Sequence, residues 1–267
     1  MSPDLLRKTM RDTRASTIGW TGVLVAMVAL QLSVFPVMRD AASDFQRLFD
    51  SYPDALKSMF NMDAGFGTPI GYLKTEVFSV TTPLILIGML IGQASAATAA
   101  EEQHATMDLL LANPISRVQV VLTKALALLI NLALAVAALT VTLVLGGVLA
   151  GMDLSPARLV GAAAVAAALA APFGAIALAV GGVTGRRGLA AAAGIGIAVL
   201  TYLVASLAEL ADWLRPLRVI SPFHLAAPAD LLDGQPNPAG LTGVLLVTAL
   251  LVVAAAVTLQ HRDIRIS

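Results

Sequence analysis

Glu101 and Glu102, followed by His104, are the residues whose types and spacing most invite chemistry in this chain. Adjacent carboxylates at the end of an apolar run, with histidines to join them, are a donor set for a metal ion and hence for metal-assisted hydrolysis. The remaining histidines, His224 and His261, lie far along the chain and do not easily converge with His104 on one metal. Two acids solvated at a helix end are the commoner arrangement, and contact with a basic partner remains open. No GxxxxGK[ST] is present, so this chain has no P-loop for ATP. Without cysteine it has neither a disulfide framework nor thiolate chemistry.

The elements that hold these acids are legible in the stretch EEQHATMDLLLANPISRVQVVLTK, Glu101 to Lys124, a polar segment between two long apolar runs. A short amphipathic helix should stop near Ala112, because Asn113 precedes Pro114 and is pushed out of the α region, and the proline lacks an N–H donor. A new helix should then begin with Ser116 as N-cap and Gln119 completing a capping box. Ile115 and Val120 stand at the staple positions. A surface helix of about two turns with sharply defined ends is shaped to be pushed on by a partner.

Composition sets the medium. Of 267 residues 58% are hydrophobic and 13% charged, and the mean hydropathy is +0.84, well above an ordinary soluble domain. Crossing roughly 30 Å of hydrocarbon at 1.5 Å per residue takes about 20 apolar residues. Six runs qualify, at about Thr17–Val37, Val77–Ala100, Val118–Gly151, Leu159–Thr184, Gly188–Leu210 and Leu241–Gln260. The expected fold is an all-α integral membrane protein of six transmembrane helices. The first run is too long for a signal-peptide core. With the N-terminus inside, the inner segments carry Arg7, Lys8, Arg11, Arg14, Arg117, Lys124, Arg186, Arg187, Arg262 and Arg265 against six acids, whereas the outer segments hold seven bases and eleven acids. Both termini are therefore expected in the cytoplasm of a multi-pass protein of the cell (plasma or inner) membrane.

A single transmembrane domain, residues 1–267, is expected, with four appendages. Residues 1–16 read as an interfacial helix on anionic lipid, begun by Ser2-Pro3-Asp4 and striped by Arg7, Arg11 and Arg14, before the chain turns inward. Residues 38–76 read as one or two helices over the outer mouth, with Gly65, Gly67, Pro69 and Gly71 making a turn before span two. Residues 101–117 form the cytoplasmic segment, and residues 211–240 a second outer segment. Span one should end near Pro36, with Gln31 bonding another helix; Pro83 and Pro172 should bend spans two and four. Small residues at Gly161, Ala162, Ala166 and Ala170, and at Ala190, Gly194 and Ala198, suit packing of spans four and five against protein. Ser155-Pro156 and Asn237-Pro238 repeat the pattern of a cap followed by proline.

Away from helix ends no ionisable residue falls within a span, which disfavours proton- or sodium-coupled transport. The 101–124 stretch resembles the permease subunits of ATP-binding-cassette exporters, in the six-helix class of drug, antibiotic and copper-site-maturation permeases. Paired acids, a Thr-x-x-Leu-Leu-Leu helix, Pro-[Val/Ile]-Ser-Arg and a following lysine are matched by Glu101, Glu102, Thr106, Leu109, Leu110, Leu111, Pro114, Ile115, Ser116, Arg117 and Lys124. Weaker echoes are Gly71-Tyr72-Leu73 with Glu76 and Phe78, Gly185-Arg186-Arg187-Gly188, Ser221-Pro222-Phe223-His224 and Arg262-Asp263-Ile264. His104-Ala105 departs from the small residue the family more often has before the threonine.

The resemblance implies that the short helix is a coupling helix seated in a groove of an ATPase subunit, with Arg186 and Arg187 as a second contact. It also implies that two ATPases pair with two permease chains, identical or homologous. Met107, Leu110 and Leu111 would then bury apolar side chains in the partner or against the protein's own base. No cofactor is expected on this chain, ATP and Mg belonging to the ATPase, and no nucleic acid. Export of an amphipathic or hydrophobic substrate is the expected function, with no catalytic residue here and the substrate contacts unnamed. Two alternatives are a protein of the same fold that transmits force or signal without transport, and an intramembrane protease. The latter lacks the arginine one turn beyond its acids, where Thr106 stands.

Overall fold

A computed structural model describes residues 3–50, 67–97, 116–208 and 212–260. Among the described residues six helices are long and apolar enough to cross a membrane: α1 (Pro3–Asp50), α2 (Pro69–Ser95), α3 (Arg117–Leu149), α4 (Pro156–Thr184), α5 (Arg187–Leu207) and α9 (Pro238–Gln260). Three short helices, α6 (Arg215–Arg218), α7 (Pro222–Leu225) and α8 (Pro228–Leu232), lie between α5 and α9. No strand occurs among the described residues. The six-span, all-α architecture is the one expected from hydropathy.

The turn expected between the first 16 residues and span one is absent, since α1 runs unbroken for 48 residues. Nothing from Asp4 to Phe35 is a proline, and a periodic face explains the continuity. Leu5, Thr9, Thr13 and Thr17 are buried at four-residue spacing, while Arg7, Arg11 and Arg14 are exposed. The threonine hydroxyls of Thr9, Thr13 and Thr17 donate to the carbonyls four residues back at 2.9, 2.9 and 3.0 Å, so each proton is used within the helix. Pro36 does not end α1 either; the helix passes through it to Asp50. Helix is thus present at the start of the 38–76 segment, while residues 51–66 lie outside those described.

Span two starts earlier than expected, because Thr68 caps Pro69 at the first helical turn, its hydroxyl accepting from the Gly71 N–H at 3.1 Å. Pro83 acts by changing the winding. Residues Leu73–Thr81 form a π-helix, which widens the backbone just ahead of the proline ring and its missing donor. Gln31 clamps this stretch from α1, its Nε2 donating to Glu76 O and Thr81 Oγ1, both at 2.9 Å. Tyr72 Oη in turn donates to Gln31 O at 2.7 Å. The expected helix-to-helix bond of Gln31 is therefore made.

The core is organised on α4, which packs against α2, α3, α5 and α9, while α1 packs on α3 and α2. Of the most apolar stretch of α4, 61% is buried, against 17% for α5. The expectation that both pack against protein holds for α4; within this chain α5 is buried at Ala190, Gly194 and Ala198. That narrow stripe is a close approach: a Cβ on Gly194 would come within 3.0 Å of Ile91 Cγ1 on α2. Beyond α5 the chain folds back. Ser221 Oγ donates to Thr201 O at 2.8 Å, and the Phe223 ring sits 5.4 Å from Tyr202 and 5.8 Å from Phe173 on α4.

Candidate functional site

The segment singled out by sequence is framed by residues the structure describes. Glu101, Glu102, Thr106, Met107, Leu109, Leu110, Leu111 and Pro114 lie outside them, as does the staple residue Ile115. The structure describes its two flanks, the exit at the end of α2 and the re-entry at the start of α3.

The re-entry is built as expected. Ser116 adopts an extended conformation, φ −69° and ψ 147°, that turns the chain into α3. Its Oγ accepts from the Gln119 N–H at 3.2 Å, and the Ser116 N–H donates to Gln119 Oε1 at 3.3 Å, a complete capping box. Arg117 then reaches across the bundle, its Nη1 donating to Leu259 O at 3.2 Å near the end of α9. A cation on the last carbonyls of a helix meets both unsatisfied acceptors and the negative end of the macrodipole.

The exit is fixed by a residue whose place the sequence does not disclose. Lys124, counted above among the inner bases at a helix end, is wholly buried, 0% exposed, two turns into α3. Its Nζ donates to Ala97 O, the last described residue before the segment. Among the described residues, it is the one charged side chain that the structure shows as buried. This lysine therefore ties the C-terminal turn of α2 to α3, as Arg117 ties α3 to α9.

A polar seam continues inward from this point. Asn131 Nδ2 on α3 donates to Thr13 Oγ1 on α1 and to Gln93 Oε1 on α2, both at 3.0 Å. Gln93 Nε2 donates to Thr17 Oγ1 at 3.1 Å. All four side chains are buried, so three helices are joined by hydrogen bonds in a place where water does not compete. Two amides within apolar runs were the available sequence signal; their convergence was not readable, because it depends on the register of three helices.

Arg186 and Arg187 sit on the short α4–α5 connection, both exposed. Gly185 makes that turn with φ 63°, the left-handed conformation that closes a helix, its N–H donating to Gly181 O at 2.9 Å. The described contacts do not link these arginines to Ser116, Arg117 or Lys124. His224 lies in α7, on the connection between α5 and α9, which is the opposite end of the bundle from Ala97. Among the described residues no group of three or more histidines, aspartates or glutamates is arranged for a metal ion. Ser155 starts α4 without a side-chain capping bond, whereas Asn237 Oδ1 does accept from the Gly240 N–H at 2.9 Å.

A bundle of six helices long and apolar enough to cross a membrane is the architecture of a multi-pass membrane protein. The sequence matches the family described as ABC-2 family transporter protein over residues 4–264, and the chain belongs to that family. It is a multi-pass membrane component of an ATP-binding-cassette transporter. No match was found among curated proteins.

Proposed function

We propose that this chain is the permease half of an exporter that moves an amphipathic or hydrophobic molecule out of the cytoplasm. ATP and Mg are bound and used by two separate ATPase subunits, and a second permease chain, identical or homologous, completes the pathway. The termini and residues 101–117 face the cytoplasm of the plasma or inner membrane. The helix carrying Met107, Leu109, Leu110 and Leu111 sits in the ATPase, flanked by Glu101, Glu102, Thr106 and Pro114, with Arg186 and Arg187 as a second contact.

The observation that carries this reading is the pair of braces around the segment. A displacement applied between Ala97 and Ser116 has little slack to absorb it, because Lys124 holds the exit to α3 and the capping box holds the re-entry. The push is thereby passed to α2 and α3 together, and through Asn131 and Gln93 to α1.

A mild-detergent pull-down of the tagged chain from native membranes tests it, beside a Met107→Asp, Leu110→Asp variant. Recovery of a cassette ATPase with the native chain and its loss from the still-folded variant is expected. Absence of any ATPase under conditions that keep the permease assembly intact would overturn the coupling role.

A further inference from the structure

An exposed strip along the α1–α2 contact carries a charge and apolar side chains that the braces do not use. Two crossings mark its ends. The Trp20 ring of α1 lies over Gly88 of α2, where an added Cβ would stand 3.0 Å from Trp20 Cη2. Eleven residues further along α1, Gln31 reaches Glu76 O and Thr81 Oγ1 on the π-wound stretch. At 1.5 Å per residue the crossings are about 17 Å apart. Between them Met27, seven residues from Trp20 and four from Gln31, stands on the same side of α1 and is 40% exposed. On α2 the series Glu76, Val80, Leu84 and Gly88 runs along one side at four-residue spacing, with Val80 47% and Leu84 66% exposed.

At the Gln31 end the strip holds a carboxylate without a cation. Glu76 is the only acid in α2, and because that helix begins at Pro69 it lies about two turns inside the span rather than at its edge. Its side chain is half-buried. The donors around it are committed elsewhere. The Tyr72 phenol, close enough to feel its charge, gives its proton to Gln31 O. The Gln31 amide protons go to Glu76 O and Thr81 Oγ1, and Lys74 pairs with Asp233. Among the described residues the Glu76 carboxylate has neither hydrogen bond nor ion pair, and Gln31 Oε1 is buried without a partner. An ionisable group inside a span persists for a task, and π-wound turns recur at functional positions.

We propose, resting on the export role above, that this strip receives the transported molecule and that the molecule is an amphipathic amine. Its ammonium sits on the Glu76 carboxylate, and its apolar body runs along Val80, Leu84 and Met27 toward the Trp20 ring. Charge complementarity selects the occupant. A zwitterionic lipid brings a phosphate beside its ammonium, and Lys74, the neighbouring cation on α2, is already paired with Asp233. A metal ion needs more donors than one carboxylate, and no group of three acids or histidines is gathered among the described residues. An ammonium supplies N–H donors and positive charge together, and both are what this end of the strip lacks.

The chain has two tryptophans, so a Trp213→Phe variant leaves Trp20 as the only indole. In nanodiscs, without nucleotide or ATPase, energy transfer from Trp20 to a dansyl-tailed undecylammonium probe is the measurement. Saturable transfer is expected, with apparent affinity at least about tenfold weaker after Glu76→Gln and largely kept after Glu76→Asp. On the native chain, unlabelled undecylammonium should displace the probe at least about tenfold better than the alcohol of the same chain length. Equal affinity for the native and Glu76→Gln chains would overturn the proposal. So would equal displacement by ammonium and alcohol, whatever the fold of the variant. Displacement by the phosphocholine of the same chain length as good as by the ammonium would overturn it by assigning the strip to lipid. Transfer that never saturates would overturn it by placing the probe in the bilayer alone. The export role is judged separately, by the ATPase pull-down, because no ATPase enters this measurement.

Discussion

The two ends of this bundle handle polarity in opposite ways. Where α2 ends and α3 begins, polar side chains are inside: Lys124, Asn131, Gln93, Thr13 and Thr17 are buried and bonded across three helices. At the other end the charged contacts lie at the surface. Lys74 pairs with Asp233 at about one-third side-chain exposure on each partner, and Arg39 pairs with its neighbour Asp40 at 3.1 Å, well exposed. Buried hydrogen bonds have fixed geometry and no competing water, so they make helices move together. Surface ion pairs hold segments in place with little energy and can be remade. One end is a brace; the other is a set of attachments.

The comparison breaks first at Lys124. Lys124→Met keeps the volume and removes the donor to Ala97 O, and spin-label distances between α3 and α5 in the reconstituted complex are the measurement. The chain contains no cysteine, so labels can be placed at will. The nucleotide-dependent distance change should fall about tenfold or more in population, a loss on the scale of ordinary allosteric coupling energies, and Lys124→Arg should restore it. A full response in the methionine variant would show that the exit of α2 is not braced by this residue.

A smaller effect is expected for Gly194→Leu, which drives a side chain into Ile91 across the narrow α5–α2 approach. The cost should be about 1–3 kcal/mol, read as a fall in the midpoint of thermal unfolding in detergent. Asn131→Leu removes two buried bonds at once. At about 0.6 kcal/mol for a typical interhelical bond in a membrane protein, the loss should be roughly 1 kcal/mol, measured by reversible unfolding in mixed micelles. Ser116→Ala with Gln119→Ala should cost about 0.5–2 kcal/mol and reduce the same spin-label response in part. Asp233→Asn at the other end should cost less than about 1 kcal/mol. A value at Asp233 equal to that at Asn131 would erase the distinction between brace and attachment.

How much of this was legible in the sequence follows from the range of each signal. The capping box at Ser116 and Gln119 was readable, because its partners are three residues apart and the chemistry is local. The six spans were readable because hydrophobic length is additive. The course of α1 was not. Pro36 looked like an end, and the basic stripe of Arg7, Arg11 and Arg14 looked like a separate surface helix. The Leu5–Thr9–Thr13–Thr17 face that keeps the helix continuous can be buried because its hydroxyl protons are turned onto the backbone and the Thr13 and Thr17 oxygens meet Asn131 and Gln93. The burial of Lys124 was also hidden, since a lysine a few residues past a cap reads as a cytoplasmic charge until α2 is placed against it. The face that α5 uses within the chain was hidden for a related reason: alanine and glycine permit close packing on every face, and α2 and α4 occupy one of them.

The length of α1 has a mechanical consequence. At 1.5 Å per residue its 48 residues span about 72 Å, more than twice the hydrocarbon thickness of roughly 30 Å. A rod of that length pivoting near its middle moves each tip by about 3 Å for every 5° of tilt. Motions too small to see within the bilayer are enlarged at both water-facing ends, so α1 is a lever as well as a span.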